Sequence, residues 1–365
     1  MRRAPAVVVG LWLLLGCGRA VPPTPTASVV PTTAASPGRP PPVSVETTST
    51  RLPPSRRPSE TDPAHPRAAT AERPTDAPPL VAEGLVRLTD DPARDSSPAW
   101  SGDSRRIVFY SNRTGVDEIF AMNAGGGETI QLTDDPDVSF KEEPAWSPDS
   151  RQIAFTAFLE KARIFAFDVQ LAESQPFSPT RPTGEKQPEP LFDYGSHSFA
   201  AAWSPDGRHI AFVAGDMDAP LHLFTLNLAN RTTLQLTRAP LDVFRAAWSL
   251  DGKWIAFSAS AGGNEEIYLM EAAGGGVIRL TDHPALDSEP SWSADGRFIV
   301  FSSEREGRRS LYVMRADGSD VVRLEAGLGE GATPAWSPDG RYIAFVSEQG
   351  GNYDIYRIDA PALAP

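Results

Sequence analysis

The chain has 365 residues, 40% hydrophobic and 22% charged, with a formal net charge of -13 and a single cysteine. This composition suits a soluble folded chain rather than a membrane bundle. The acidity excludes nucleic acid as a partner, because phosphate binding needs a basic surface, and one cysteine excludes both a disulfide framework and a cysteine-based zinc cluster.

In chain order, a cationic start at Arg2 and Arg3 leads into the apolar run Ala6 to Leu15. Ten apolar residues are too few to span a bilayer but fit the core of a secretory signal. The run ends in Leu14, Leu15, Gly16 and Cys17, which resembles the bacterial lipobox. That resemblance implies a lipoprotein signal peptide over residues 1–17, lipidation of Cys17 and a membrane held by acyl-chain burial. The expected location is therefore outside the cytoplasm, on a membrane surface facing the periplasm or the cell exterior.

Residues 18–84 contain 16 prolines, 10 threonines, 6 serines and no aromatic residue. Such a stretch cannot bury enough apolar surface to offset chain entropy, and the reading is a disordered tether. Proline stiffens it toward an extended form with a maximum reach of roughly 200 Å.

Self-similarity governs residues 85–365. Trp100, Trp146, Trp203, Trp248, Trp292 and Trp336 are separated by 46, 57, 45, 44 and 44 residues. Each opens a phrase of the form Ala-Trp-Ser-Pro-Asp-Gly-Arg, complete at 202–208 and 335–341 and degenerate elsewhere. The phrase is turn chemistry. A strand follows each turn, such as Ile210 to Phe212, then a third strand such as Glu266 to Met270 with period-two alternation. A fourth strand ends in Leu-Thr. Four strands in about 45 residues make one blade of a β-propeller. The last repeat lacks its Leu-Thr strand, whereas an orphan copy, Val86 to Thr89, precedes the first tryptophan. The expected fold is all-β: a six-bladed propeller of four-stranded blades, closed by an N-terminal strand (residues 85–89) that completes the last blade. The 57-residue interval carries an insertion with five prolines between Asp168 and Pro190, read as a surface loop.

These repeats strongly resemble the WD40-like propeller repeats of TolB, the periplasmic component of the Tol-Pal system, over about residues 85–358. There is no Trp-Asp dipeptide of the eukaryotic kind. The α/β domain that precedes the propeller in TolB is replaced here by the Pro/Thr tether, and TolB is not normally a lipoprotein. The resemblance speaks to fold more than to function.

The six tryptophans are expected to pack between blades. Residues 1–84 are net positive by three, so the propeller carries about -16. The acids crowd the loops that enter the first strands, where an acidic funnel would attract cations, basic peptides or amines. Candidate binding residues at the channel mouth are Asp95, Glu143, Arg245, Asp287 and Glu289, three or five residues before their tryptophans, and His197, six before Trp203. No tight ligand spacing marks a metal site, and no cofactor is expected.

The favoured function is a non-catalytic, envelope-tethered scaffold, a monomer that binds a protein or basic peptide on its acidic face. One alternative is a channel-based enzyme, a TolB-like lyase or hydrolase, with a metal-dependent version included. No Gly-x-Ser-x-Gly elbow supports a hydrolase. Another is a TolB-like envelope transport component, disfavoured by the missing first domain. Replacing the anchor, Cys17→Ser, is expected to release the protein from membranes on fractionation, and continued membrane retention of the variant would refute the lipid anchor.

Overall fold

Each repeat is held by the serine that follows its tryptophan. In the computed structural model, Ser101, Ser147, Ser204, Ser249, Ser293 and Ser337 each donate to the aspartate two residues on, at 2.6–2.7 Å. The same hydroxyls accept the N–H five residues on, at 2.9–3.0 Å, where the second strand begins. The Ser–Asp pair is thus the fixed part of the turn, and proline, present in three copies, only reinforces it.

The described residues are 79–134, 138–169, 190–327, 330–349 and 351–363. The signal segment, nearly all of the tether and most of the 168–190 insertion lie outside them. The sheets form six blades. Blade 1 comprises Asp95–Trp100, Arg106–Ser111, Glu118–Asn123 and Ile130–Gln131; blade 2 comprises Ser139–Trp146, Gln152–Phe158 and Ala162–Asp168. Blade 3 is His197–Trp203, His209–Gly215, His222–Asn227 and Thr233–Gln235; blade 4 is Asp242–Trp248, Trp254–Ser260, Glu265–Glu271 and Ile278–Arg279. Blade 5 is Asp287–Trp292, Phe298–Ser303, Ser310–Arg315 and Val322–Glu325; blade 6 is Gly331–Trp336, Tyr342–Gln349, Asn352–Asp359 and the N-terminal Val86–Arg87. Within each blade these strands are antiparallel. Blade 2 shows three strands among the described residues, and its fourth position is represented by Leu191, whose N–H donates to the Ile164 carbonyl at 2.8 Å.

The recurring Leu-Thr has a specific role. The threonine hydroxyl accepts a third-strand N–H in four blades: Ile119 to Thr133, Leu223 to Thr237, Ile267 to Thr281 and Ile355 to Thr89, at 2.9–3.0 Å. Thr89 is therefore the missing fourth-strand threonine of blade 6. Val86 stands opposite Arg357 and Arg87 opposite Tyr356. The chain's two ends thus share one sheet, and the ring closes as expected.

A second contact lies upstream of the expected boundary at residue 85. Leu80–Val81 add in parallel to the outer strand of blade 5, with Leu80 opposite Leu324. Gly84, at φ 64°, links the two attachments, and a Cβ there would collide with the Asp359 carboxylate. Residues 80–87 therefore staple blade 5 to blade 6.

Blades are joined by apolar contacts between their faces. Trp336, Ile343 and Phe345 of blade 6 pack on Val300 and Leu311 of blade 5, and Trp100 and Phe109 of blade 1 pack on Ala344, Val346 and Ile355 of blade 6. The indole N–H groups of Trp100, Trp248 and Trp292 donate to Ala335, Ala202 and Ala247 of the preceding blade. The tryptophans are inter-blade packing residues, as expected from their recurrence. Deleting residues 85–89 removes the Thr89 bond and takes Leu88 and Val86 out of the junction between blades 6 and 1. The melting temperature is expected to fall by at least several degrees in a calorimetric scan, and an unchanged value would contradict the closure.

Candidate functional site

First strands line the channel, and all six are irregular. Register slips near the third residue before the tryptophan in every blade. At that position Ser97, Glu143, Ala200, Glu289 and Thr333 take φ of 47–57°, rare for residues with a Cβ. A β-bulge of this kind re-aims one side chain and interrupts pairing. Here it builds a ring of six residues, completed by Arg245 of blade 4, around a cavity of about 170 Å³.

Two ring carboxylates hold the neighbouring blade. Glu143 Oε2 accepts the Ala200 N–H at 2.9 Å and the Thr156 hydroxyl at 3.1 Å. Glu289 Oε2 accepts the Thr333 N–H and the Ser302 hydroxyl, both at 2.7 Å. Blades 2 and 5 are three apart in a ring of six, so the two carboxylates face each other across the channel. Arg245 donates to Glu143 Oε1 at 2.7 Å. Burial works against its charge, but Glu143 and Glu289 outweigh it and raise its pKa. The remaining Glu289 oxygen lies 4.0 Å from Arg309. Two buried ring hydroxyls, Ser97 Oγ and Thr333 Oγ1, have no hydrogen-bond partner.

Two further carboxyls belong to this environment. Burial pushes Glu142 up to about 7, with Glu143 and Asp117 adding repulsion and Arg94 and Arg245 opposing it. Burial also raises Glu265 to about 7; Glu289 adds to the shift, and Ser258, Arg309 and Arg245 oppose it. Arg94 lies over the Tyr110 ring, and burial together with Glu142 drives the Tyr110 phenol upward.

Of the residues expected at the mouth, the structure brings together Glu143, Arg245 and Glu289. Asp95 and Asp287 are placed elsewhere. Both are fully buried, each held by a guanidinium of its own blade: Arg113 at 2.8 and 2.9 Å, and Arg305 at 2.6 Å. Those arginines lie over Phe109 and Phe120 in one blade, and Phe301 and Tyr312 in the other. The sequence carried a signal for these pairs: only in these two repeats does an aspartate five before the tryptophan accompany an arginine thirteen after it. His197 sits at the edge of blade 3, where its Nδ1 accepts the Ala162 N–H at 3.2 Å, and burial and Lys161 hold its pKa down.

The acidic funnel also needs revision, because its acids carry partners. Glu266 pairs with Arg279, Glu306 with Arg323 and Glu304 with Arg309. Glu118 takes a buried Lys141 at 2.9 Å. Asp135 and Asp137 lie outside the described residues. Of the acids nearest the ring, burial raises Glu142 and Glu265 to about 7, which lowers their charge near neutral pH, and Glu289 lies 4.0 Å from Arg309. Among the described residues, no group of three His, Cys, Asp or Glu side chains is placed to hold a metal ion.

Six bulged first strands around a small polar channel define a propeller with an axial cavity. The chain matches the family described as TolB beta propeller domain over residues 139–275 and 183–362, together more than half its length, and it belongs to that family. No curated protein matches it in sequence. A structure assigned as TolB from Agrobacterium tumefaciens superposes with a TM-score of 0.59 at 21% identity, covering 76% of this chain and 97% of that one. An oligogalacturonate lyase from Vibrio parahaemolyticus gives 0.50 at 12%, over 76% and 94%. A puromycin-hydrolysing peptidase of Mycobacterium tuberculosis gives 0.54 at 13%, over 74% and 51%. Likeness at these identities concerns the fold, which serves unrelated chemistries.

The raised Glu142 carboxyl fixes a pH dependence. Its folded pKa of about 7 exceeds the ordinary 4.5, so the folded state binds more protons between those values. Stability then falls as pH rises from about 4.5 to 7 and levels off above. The substitution Glu142→Gln is expected to stabilise the domain by about 1–3 kcal/mol at pH 8 and much less at pH 5, read as melting temperature at the two values. An equal effect at both would contradict the shift.

Proposed function

We infer that the propeller is a non-catalytic binding module that receives a cationic side chain of a protein or peptide partner at the channel. The observation that carries this reading is the charge of the ring. Of the two opposed carboxylates, Glu143 takes the ring guanidinium Arg245 at 2.7 Å, whereas the free oxygen of Glu289 has only Arg309, at 4.0 Å. A buried carboxylate that is incompletely paired favours an incoming cation. The unpartnered hydroxyls of Ser97 and Thr333 offer acceptors beside it. A cavity of about 170 Å³ has room for the head of one lysine or arginine, not for a folded element. The scaffold function therefore rests on one inserted side chain plus contacts outside the channel.

The same proposal places the propeller in the cell envelope. Lipidation at Cys17 would anchor it to a membrane, and the proline-rich tether would let it search a radius of roughly 200 Å. Such tethering raises the effective concentration of any partner within reach.

The test is fluorescence anisotropy with a labelled lysine-rich peptide and the double variant Glu143→Gln, Glu289→Gln. Glutamine keeps the acceptors for Ala200 and Thr333 and removes the charge. The expected result is a loss of affinity of about tenfold or more, equivalent to about 1.4 kcal/mol, measured below the variant's lowered melting temperature, since Arg245 loses its charged partner. Unchanged affinity in the variant would overturn the reading.

A further inference from the structure

Large exposed apolar side chains are unevenly distributed on this propeller. On the face where first strands enter the channel, Val116 is 55% exposed, Phe140 51%, Leu159 46% and Met217 44%. All four belong to blades 1–3. Among the described residues, the other large exposed apolar side chains, Val81, Leu85, Leu234, Leu250 and Val277, lie on the rim or the turn face.

The four residues follow one another around blades 1–3, with polar groups between Leu159 and Met217. The Lys141 N–H donates to the Asp117 carbonyl at 3.1 Å, which sets Phe140 beside Val116. The Phe140 ring meets Phe158 edge-on at 6.5 Å, and Leu159 follows in sequence. Lys161 then donates to the Gly195 carbonyl at 2.7 Å, and Ser196 donates to Asp216 at 2.5 Å, which carries the arc to Met217.

Phe140 is presented at a cost. Its φ is 51°, in a strand that slips register a second time between Ser139 and Glu142, an irregularity absent from the other five blades. A non-glycine residue held in this region costs on the order of 1 kcal/mol or more. Its ring gains an edge-on contact with Phe158, but half the side chain faces water. Two residues further on stand Glu142 and Glu143, the carboxyls of the channel rim and ring.

We propose that the arc formed by Val116, Phe140, Leu159 and Met217 docks the apolar side chains of an amphipathic cationic peptide segment, beside the channel that takes its basic residue. The inference rests on the proposed channel function and names the partner class for it. Charge complementarity selects this occupant. A second copy of the chain, itself at -13, would be repelled by like net charge. An anionic membrane surface would be repelled by the same charge. A cationic segment with flanking apolar residues satisfies both halves of the surface.

The experiment uses two labelled dodecapeptides, one alternating Lys with Leu and the other alternating Lys with Ser, titrated against the intact chain by anisotropy. The Lys/Leu peptide is expected to bind about tenfold more tightly. The variant Phe140→Asn suits the left-handed backbone and deletes the ring. Together with Leu159→Ser it is expected to erase that advantage, leaving Lys/Ser binding and the melting temperature unchanged. Met217→Ser alone should remove part of the advantage. Equal binding of the two peptides to the parent would overturn the docking arc and leave the channel function standing. Failure of both peptides to bind would overturn both. Phe140-dependent flotation with phosphatidylglycerol vesicles, or a Phe140-dependent dimer in sedimentation, would assign the arc to another occupant and overturn the proposal.

Discussion

The channel depends on a single backbone irregularity repeated around the ring. A regular first strand would send alternate side chains to the two blade faces, and no residue would point along the axis as the ring residues do. The bulge before each tryptophan inserts one extra residue and turns the third-last side chain inward. Positive φ at five such positions is strained, each by about 1 kcal/mol or more. Part of that strain is offset by Glu143 and Glu289, whose carboxylates take the bulge N–H groups of blades 3 and 6. Charge-assisted bonds of this sort contribute about 1.5–3 kcal/mol. The residues that give the channel its charge are therefore also part of what holds its wall in shape.

The same economy of parts closes the ring. Thr89 does for blade 6 what Thr133, Thr237 and Thr281 do within their own blades, accepting the same third-strand N–H. The closing strand is short, with two paired residues, but it is reinforced by Leu88 in the core between blades 6 and 1 and by Arg87 on the buried Asp354 at 2.6 Å. The parallel attachment of Leu80 and Val81 extends the hold to blade 5. Force transmitted along the preceding segment would thus meet two strands on two blades in series before reaching the core.

The architecture was legible because the repeat imposes it: tryptophan spacing counts blades, and an orphan Leu-Thr strand identifies the closure. Site residues were legible only where counting from the tryptophan stays on one side of the bulge. Glu143, Arg245 and Glu289, three before their tryptophans, reach the channel. Asp95 and Asp287, five before, lie across the bulge, where the extra residue reverses the parity of the strand. They turn instead to Arg113 and Arg305. The overall acidity misled for a related reason, since net charge does not reveal that Glu266, Glu304 and Glu306 each meet an arginine 5 to 17 residues further along. Glu142 and Glu265 could not be singled out from the other loop acids because burial, not sequence context, sets them apart.

Within a repeat protein, the copies act as controls for one another. Positions shared by all six, the tryptophan and the turn serine, answer to packing between blades and to hairpin closure. Positions that differ are free of those demands and can answer to a ligand. Blade 2 departs furthest from its siblings: it alone slips register twice, its fourth-strand position is marked by Leu191 alone among the described residues, and it places a half-exposed Phe140 three residues from the ring carboxylate Glu143. One of these changes is strained. Under the proposed binding function, their convergence on one edge of the channel mouth would give blade 2 the specificity, with blade 5 supplying the opposing carboxylate.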